Sequence, residues 1–264
     1  MDEIAELVLW TAGSIVLWVV GTQIAWLAVQ RPFSLLGRFR TGWSGNPVGF
    51  ALRFLVRVIF YLLIPYLALV RHVLSPVVVG LSGTDTELPW WNLGWKLADW
   101  AGAFGWITGL GGIAAVTLVV GWWNAHRATL SHEGAGGEFP AGGLVSAPSI
   151  FSVVPETIFA QVHWAFYRAM PLMLMPDVYW ATLAGGALVM VEWALDPAWQ
   201  ASIRDGSRRE AALMQGAWLA LSSTVFVMAR NIWVMLFLHI VLAWAMGQWV
   251  ALLAARRSML RDQP

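Results

Sequence analysis

The stretch "AQVHWAFYRAMPLML" (Ala160–Leu174) is almost wholly apolar, yet it holds His163 and Arg168, five residues apart. An ionisable side chain in hydrocarbon costs at least about 2.5–3.5 kcal/mol on insertion scales, so such residues in a membrane span need a reason to be there. Whether this segment crosses a bilayer decides the fold, and the rest of the chain bears on the answer.

The chain has 264 residues, 59% of them hydrophobic and only 12% charged. A soluble domain carries about twice that charge. The apolar residues come in long blocks, as in a polytopic membrane protein, and the length fits a single membrane domain over residues 1–264. A net charge of +1 with no basic stripe argues against nucleic-acid binding. The absence of cysteine excludes disulfides, iron–sulfur clusters, thiolate zinc sites and cysteine nucleophiles. Nineteen tryptophans suit interfacial anchoring and broad contact with lipid and other membrane proteins.

A span needs about 20 apolar residues. Seven segments qualify: residues 7–29, 49–70, 105–123, 150–174, 178–195, 211–229 and 232–254. The first has an acidic flank (Asp2, Glu3, Glu6) and no small-residue cleavage site, so it reads as a span rather than a signal peptide. The expected fold is therefore all-α, a polytopic transmembrane bundle of about seven spans. With the N-terminus outside, alternation places Arg31, Arg38, Arg40, Arg53, Arg57, Arg127, Arg204, Arg208, Arg209, Arg256, Arg257 and Arg261 on the inner side. The outer side receives Arg71, Lys96 and Arg230. That asymmetry satisfies the positive-inside rule and puts the C-terminus inside. Residues 87–104 read as a tryptophan-rich interfacial segment. Residues 131–143 and 196–210 read as inner loops.

Six ionisable residues fall within or beside the apolar segments: Glu156, His163, Arg168, Glu192, Arg230 and His239. Glu156 and His163, seven apart, share a helix face. Nothing near Glu192 in sequence neutralises it, so a partner from another helix is expected, with His163, His239 or Arg168 as candidates. Arg168 and Arg230 are expected near the outer surface, where their side chains reach water. Two readings compete for the rest. Buried polar residues are common glue between membrane helices. If instead His163, Glu192 and His239 converge, two imidazoles and a carboxylate have the chemistry to bind a divalent metal or activate a water.

The segment "STVFVMARNIWVMLFLHIVLAWAMG" (Ser223–Gly247) resembles the end of the CAAX-protease and bacteriocin-processing (CPBP) family of intramembrane proteases. Arg230, Asn231, Ile232 and Trp233 match the family's Arg–Asn–Ile/Leu–Trp turn, and His239 matches the histidine of its HxxxN motif. Ala243 replaces the asparagine. From that anchor, "HWAFYRAM" is similar to the EExxxR segment, with Arg168 on the arginine and His163 and Trp164 on the two glutamates. The FxxxH helix falls on Leu188 and Glu192, with Asp196 as a second register. The resemblance spans residues 150–247 and implies a CPBP-like core in a bacterial cytoplasmic membrane. It also implies that the glutamate which activates water in the family is missing here. Glutamate and histidine have changed places.

From these departures the expected function is non-catalytic: a scaffold or accessory subunit in contact with the bilayer and with other membrane-protein subunits. The alternative is a metalloprotease-like intramembrane hydrolase with His163, Arg168, Glu192 and His239 as its catalytic set. A second alternative is a haem- or chlorophyll-binding subunit that uses a histidine as axial ligand. No cofactor is expected on the first reading, and a divalent metal at His163, Glu192 and His239 on the second.

Overall fold

The computed structural model describes residues 3–30, 47–81 and 148–261, together with the single positions 105, 109, 112 and 116. The expected third span, the tryptophan-rich segment 87–104 and the loop 131–143 lie outside the described residues. Every regular element that is described is helical. In chain order these are α1 (Glu3–Gln30), α2 (Pro47–Val58), a π-helical turn (Ile59–Leu63), α3 (Ile64–Val70), α4 (Ile150–Leu174), α5 (Val178–Leu195), α6 (Pro197–Arg204), α7 (Gly206–Ala229) and α8 (Ile232–Arg261). Among the described residues, four helical segments are long and apolar enough to cross a membrane: Ile4–Leu27, Val178–Leu195, Ala212–Ala229 and Ile232–Trp249. Phe54–Val70 is apolar but shorter.

Local sequence explains the breaks. Ser149 caps α4 by accepting from the Phe151 N–H at 3.1 Å. Asp177 caps α5 by accepting from Tyr179 and Trp180. Asp196 ends α5, and its carboxylate then accepts from Ala198 to start α6, whose first residue is Pro197. Residues 197–204, expected as loop, are thus a short capped helix. Between α7 and α8, Arg230 takes a left-handed backbone (φ 47°) and its N–H bonds the Phe226 carbonyl at 2.8 Å. Asn231 then caps α8 by accepting from Trp233 at 2.9 Å and Val234 at 3.3 Å.

The π turn has a cause in Pro65. Proline lacks an N–H and crowds the carbonyl four residues back, so the helix widens just before it. The Ile64 N–H reaches the Ile59 carbonyl instead. The widened turn directs Phe60 and Tyr61 at α4.

Helix α4 is the centre of the bundle and packs against α1, α5 and α8. Its second half, the stretch that looked built for lipid, is the most buried part of the protein: Trp164, Ala165, Phe166, Tyr167 and Ala169 all lie in the main core. Lipid-type surface falls elsewhere, on Leu9, Val16 and Leu17 of α1 and on Tyr179, Trp180 and Leu183 of α5. After α3 the chain turns through His72 (φ 59°), and residues 73–81 fold back to bury Val73, Leu74 and Val79 in the same core. The Gly80 carbonyl accepts from the Ile232 N–H at 2.9 Å, which fastens this segment to the α7–α8 turn.

Candidate functional site

Two polar clusters sit on different faces of α4. The first is built on His163. Its Nε2 lies 2.9 Å from Glu192 Oε2 and 3.2 Å from Oε1. The side chains are 2% and 1% exposed. Glu192 reaches α4 because Thr182, Gly185, Val189 and Glu192, spaced at helical repeats, form the buried stripe of α5. Aromatic rings enclose the imidazole: Tyr167 at 4.3 Å, Tyr61 at 4.9 Å edge-on and Phe60 at 5.2 Å between centroids. The Tyr167 hydroxyl donates to Ser14 Oγ on α1 at 3.4 Å. Ser14 and Thr11 are both buried, and the Thr11 hydroxyl donates back to the Leu7 carbonyl at 2.9 Å. The expected partner for Glu192 is thus present, and it is His163.

The second cluster holds His239. Ser222 Oγ donates to Gln161 Oε1 at 2.9 Å, and Gln161 Nε2 donates to His239 Nδ1 at 2.8 Å. With Nδ1 accepting, the imidazole carries its proton on Nε2 and is neutral. Trp218 and Trp164 stack on the ring from centroid distances of 4.7 and 5.8 Å. The ring is therefore held by one hydrogen bond in its plane and two indole faces.

His163 and Glu192 come together, and His239 is engaged in the other cluster. No group of three His, Asp or Glu side chains that could hold a metal is found among the described residues. Glu156 shares no contact with His163. It forms a two-point ion pair with Arg57, near the starting end of α4 and partly open to solvent. Arg230 is exposed, as expected.

Arg168 is where the sequence reading fails. The sequence places it near the surface, but its side chain is 1% exposed and its Nε, Nη1 and Nη2 have no hydrogen-bond partner among the described residues. The guanidinium lies over the Phe226 ring, 4.3 Å from the centroid. Gly185 permits this: a Cβ there would come within 2.6 Å of both Cα and Cγ of Arg168. Sequence reasoning also missed Gln161, Ser222, Tyr167 and Ser14. Neutral polar side chains carry no insertion penalty large enough to single them out, although Gln161 sits inside the stretch that raised the question.

No protein-family model, curated protein or solved structure matches the chain.

Proposed function

We propose that the chain is a non-catalytic membrane scaffold or accessory subunit, with a bundle that resembles the CPBP core and retains none of the family's glutamates at positions 163 and 164. The observation that supports this reading is the closure of His163 on Glu192. Both carboxylate oxygens face one imidazole nitrogen, and aromatic rings occupy the space around it. A general base needs the proton of a substrate or water within hydrogen-bond reach. Here Nε2 and the carboxylate pair with each other, and the second ring nitrogen, Nδ1, has no hydrogen-bond partner among the described residues and no exposed surface through which a water or substrate reaches it. The His239 Nδ1 is likewise occupied by Gln161, and two indoles stack on the ring. Both clusters tie helices together: α4 to α5 in one, α4 to α7 and α8 in the other. The apolar outer faces of α1 and α5 suit contact with lipid and with helices of other subunits.

On this reading the protein crosses the bacterial cytoplasmic membrane seven times, with its N-terminus outside and its C-terminus inside, as the arginine distribution favours. Purification in a mild detergent, followed by mass spectrometry and an absorption spectrum, tests the functional assignment. Stoichiometric companion subunits and no visible chromophore are expected. Cleavage of prenylated or unmodified membrane peptides by the purified protein, abolished by His163→Ala in a folded variant, would replace the scaffold with a hydrolase. A visible absorption band would replace it with a cofactor-binding subunit.

A further inference from the structure

Helices α2 and α3, residues 73–81, α4 and the first residue of α8 line a groove of about 410 Å³, a volume in the range of ligand sites. Leu63 and Tyr66 line it and are 41% and 60% exposed, so it opens to the surface of the bundle. On α4 the small Ala165 leaves room between Val162 and Phe166. None of the described lining residues is charged. Lipid tails are as apolar as leucine, so an apolar wall alone selects no lipid over another. Selection has to come from the ends of the groove.

One end is basic. Leu69 and Leu74 both line the groove, and the turn that joins them carries Arg71 and His72. The turn is tight: the His72 N–H bonds the Leu69 carbonyl at 3.0 Å, and the Leu74 N–H bonds the Ala68 carbonyl at 3.2 Å. Ile232 lines the groove as well, and Arg230 stands two residues before it. The bond from the Ile232 N–H to the Gly80 carbonyl holds that second turn against residues 73–81. Arg71, His72 and Arg230 are all exposed. Neither residues 47–81 nor residues 226–239 contain a carboxylate, so nothing in these segments neutralises the two arginines. Basic side chains of this kind attract anionic headgroups.

We propose that the protein holds one glycerophospholipid of net negative charge, with an acyl chain in this groove and its phosphate at Arg71, His72 and Arg230. Length supports the match. From Val58 to Leu69 the α2–α3 wall rises about 16 Å at 1.5 Å per residue. One leaflet contributes about 15 Å of hydrocarbon. A chain whose headgroup stands at the Arg71 turn therefore ends where the groove ends. The groove orders the chain, and the two guanidinium groups and the imidazole choose the headgroup, arginine being well suited to two phosphate oxygens. This inference goes beyond the scaffold reading: it concerns a lipid and holds with or without a protein partner.

Native mass spectrometry and thermal shift on the full-length protein in neutral detergent test it. The probes are phosphatidylglycerol, a phosphatidylcholine with the same acyl chains, and glycerol 3-phosphate. Phosphatidylglycerol is expected to bind about tenfold or more tightly than phosphatidylcholine, the effect of two arginines near a membrane surface. Arg71→Gln combined with Arg230→Asn is expected to remove that preference; asparagine tolerates the left-handed backbone at 230 (φ 47°). Arg204→Gln, beside the start of α7 and so a helix length from the α7–α8 turn, is expected to leave the preference intact. Leu63→Trp fills the groove from an exposed position and is expected to weaken both phospholipids. In native membranes, Tyr66→p-benzoylphenylalanine is expected to crosslink to lipid. Equal affinity of wild type for the two phospholipids overturns the proposal, whether or not the variants fold. So does a preference that survives the double replacement or is lost equally in Arg204→Gln. Unchanged affinity in Leu63→Trp, or glycerol 3-phosphate binding as tightly as phosphatidylglycerol, overturns it because the groove would contribute nothing. A protein adduct at residue 66 overturns it in favour of a partner helix.

Discussion

His163 Nε2 stands between the two carboxylate oxygens of Glu192, at 2.9 and 3.2 Å, in a pocket that excludes solvent from both side chains. A buried pair of this kind is a poor source of stability compared with apolar residues of the same shape, because both polar groups lose their hydration. Removing one member is different, since it leaves the other stranded. His163→Ala and Glu192→Ala are each expected to lower stability by about 3–5 kcal/mol. The joint replacement His163→Leu with Glu192→Leu is expected to recover most of that loss. Thermal unfolding in detergent checks this, and two additive single losses would show that the residues do not act as a pair.

The Ser222–Gln161–His239 relay makes a separate claim. Gln161 uses its oxygen for Ser222 and its nitrogen for His239, so Gln161→Leu orphans two buried groups while Gln161→Glu reverses one donor. An unsatisfied buried polar group costs about 1–3 kcal/mol. Gln161→Leu is expected to destabilise by at least that much, and Ser222→Ala by about 1 kcal/mol. The nitrogen chemical shifts of the His239 ring report the site directly, because Nδ1 accepts from Gln161. Unchanged shifts in Gln161→Leu would argue that the imidazole is not held by this bond.

Gly185 sets how closely α5 approaches α4. Its absent side chain leaves room for the backbone and Cγ of Arg168, and a methyl group at 2.6 Å from either must push the helices apart. Overpacking of this kind costs about 1–3 kcal/mol. Gly185→Ala is expected to destabilise within that range and to weaken the His163–Glu192 pair two turns along the same interface. Gly186, where a Cβ would meet nothing nearer than Ser223 Oγ at 3.8 Å, is the control: Gly186→Ala is expected to be neutral or mildly stabilising. Equal effects at both positions would remove the case for a special approach at 185.

Much of the helical layout was legible because apolar blocks and their punctuation are local. The bounds 150–174 and 178–195 follow from the length of predominantly apolar sequence, and they agree with α4 and α5, whose starts Ser149 and Asp177 cap. The short helix α6 reads as a loop from its polar composition, yet an Asp–Pro start is itself a helix signal. Of the candidate site, only the need for a partner to Glu192 could be read from sequence. Which partner it takes depends on the register of α4 against α5, and that is set by Gly185 and the spacing of the Thr182–Glu192 stripe. Arg168 was misplaced for the same reason. Its burial rests on a glycine 17 residues later and on Phe226 in a different helix, and neither is visible from the arginine outward.

Orientation is testable apart from the site. Arg204 and Arg209 lie between α5 and the apolar part of α7, on the side where arginines concentrate, and Arg71 and Arg230 lie at the opposite ends of their helices. A reporter active only in the cytoplasm, fused after Pro264, is expected to give signal, while the same reporter inserted after Arg230 is expected to be silent. Silence from a well-expressed fusion at Pro264 would reverse the orientation.

The last expectation isolates the charge of Arg168 from its packing. The guanidinium has no acceptor for its donors among the described residues, where its desolvation is offset by the Phe226 ring. Cation–π attraction is worth about 2 kcal/mol when desolvated, whereas the effective cost of a buried ion is several kcal/mol. The second effect is larger, and removing the charge while keeping the chain should therefore help. Arg168→Met preserves an unbranched side chain that threads past Gly185 and packs on the Phe226 ring, with sulfur in place of the cationic head. It is expected to raise stability by about 1–4 kcal/mol when the protein is purified in neutral detergent. Arg168→Ala loses the packing as well as the charge and is expected to gain less or to be destabilised. Thermal unfolding of the three proteins, before and after exhaustive lipid removal, makes the comparison. If Arg168→Met is destabilised by several kcal/mol even after lipid removal, the guanidinium has a partner within the protein, and the reading of Arg168 as an unsatisfied cation is wrong.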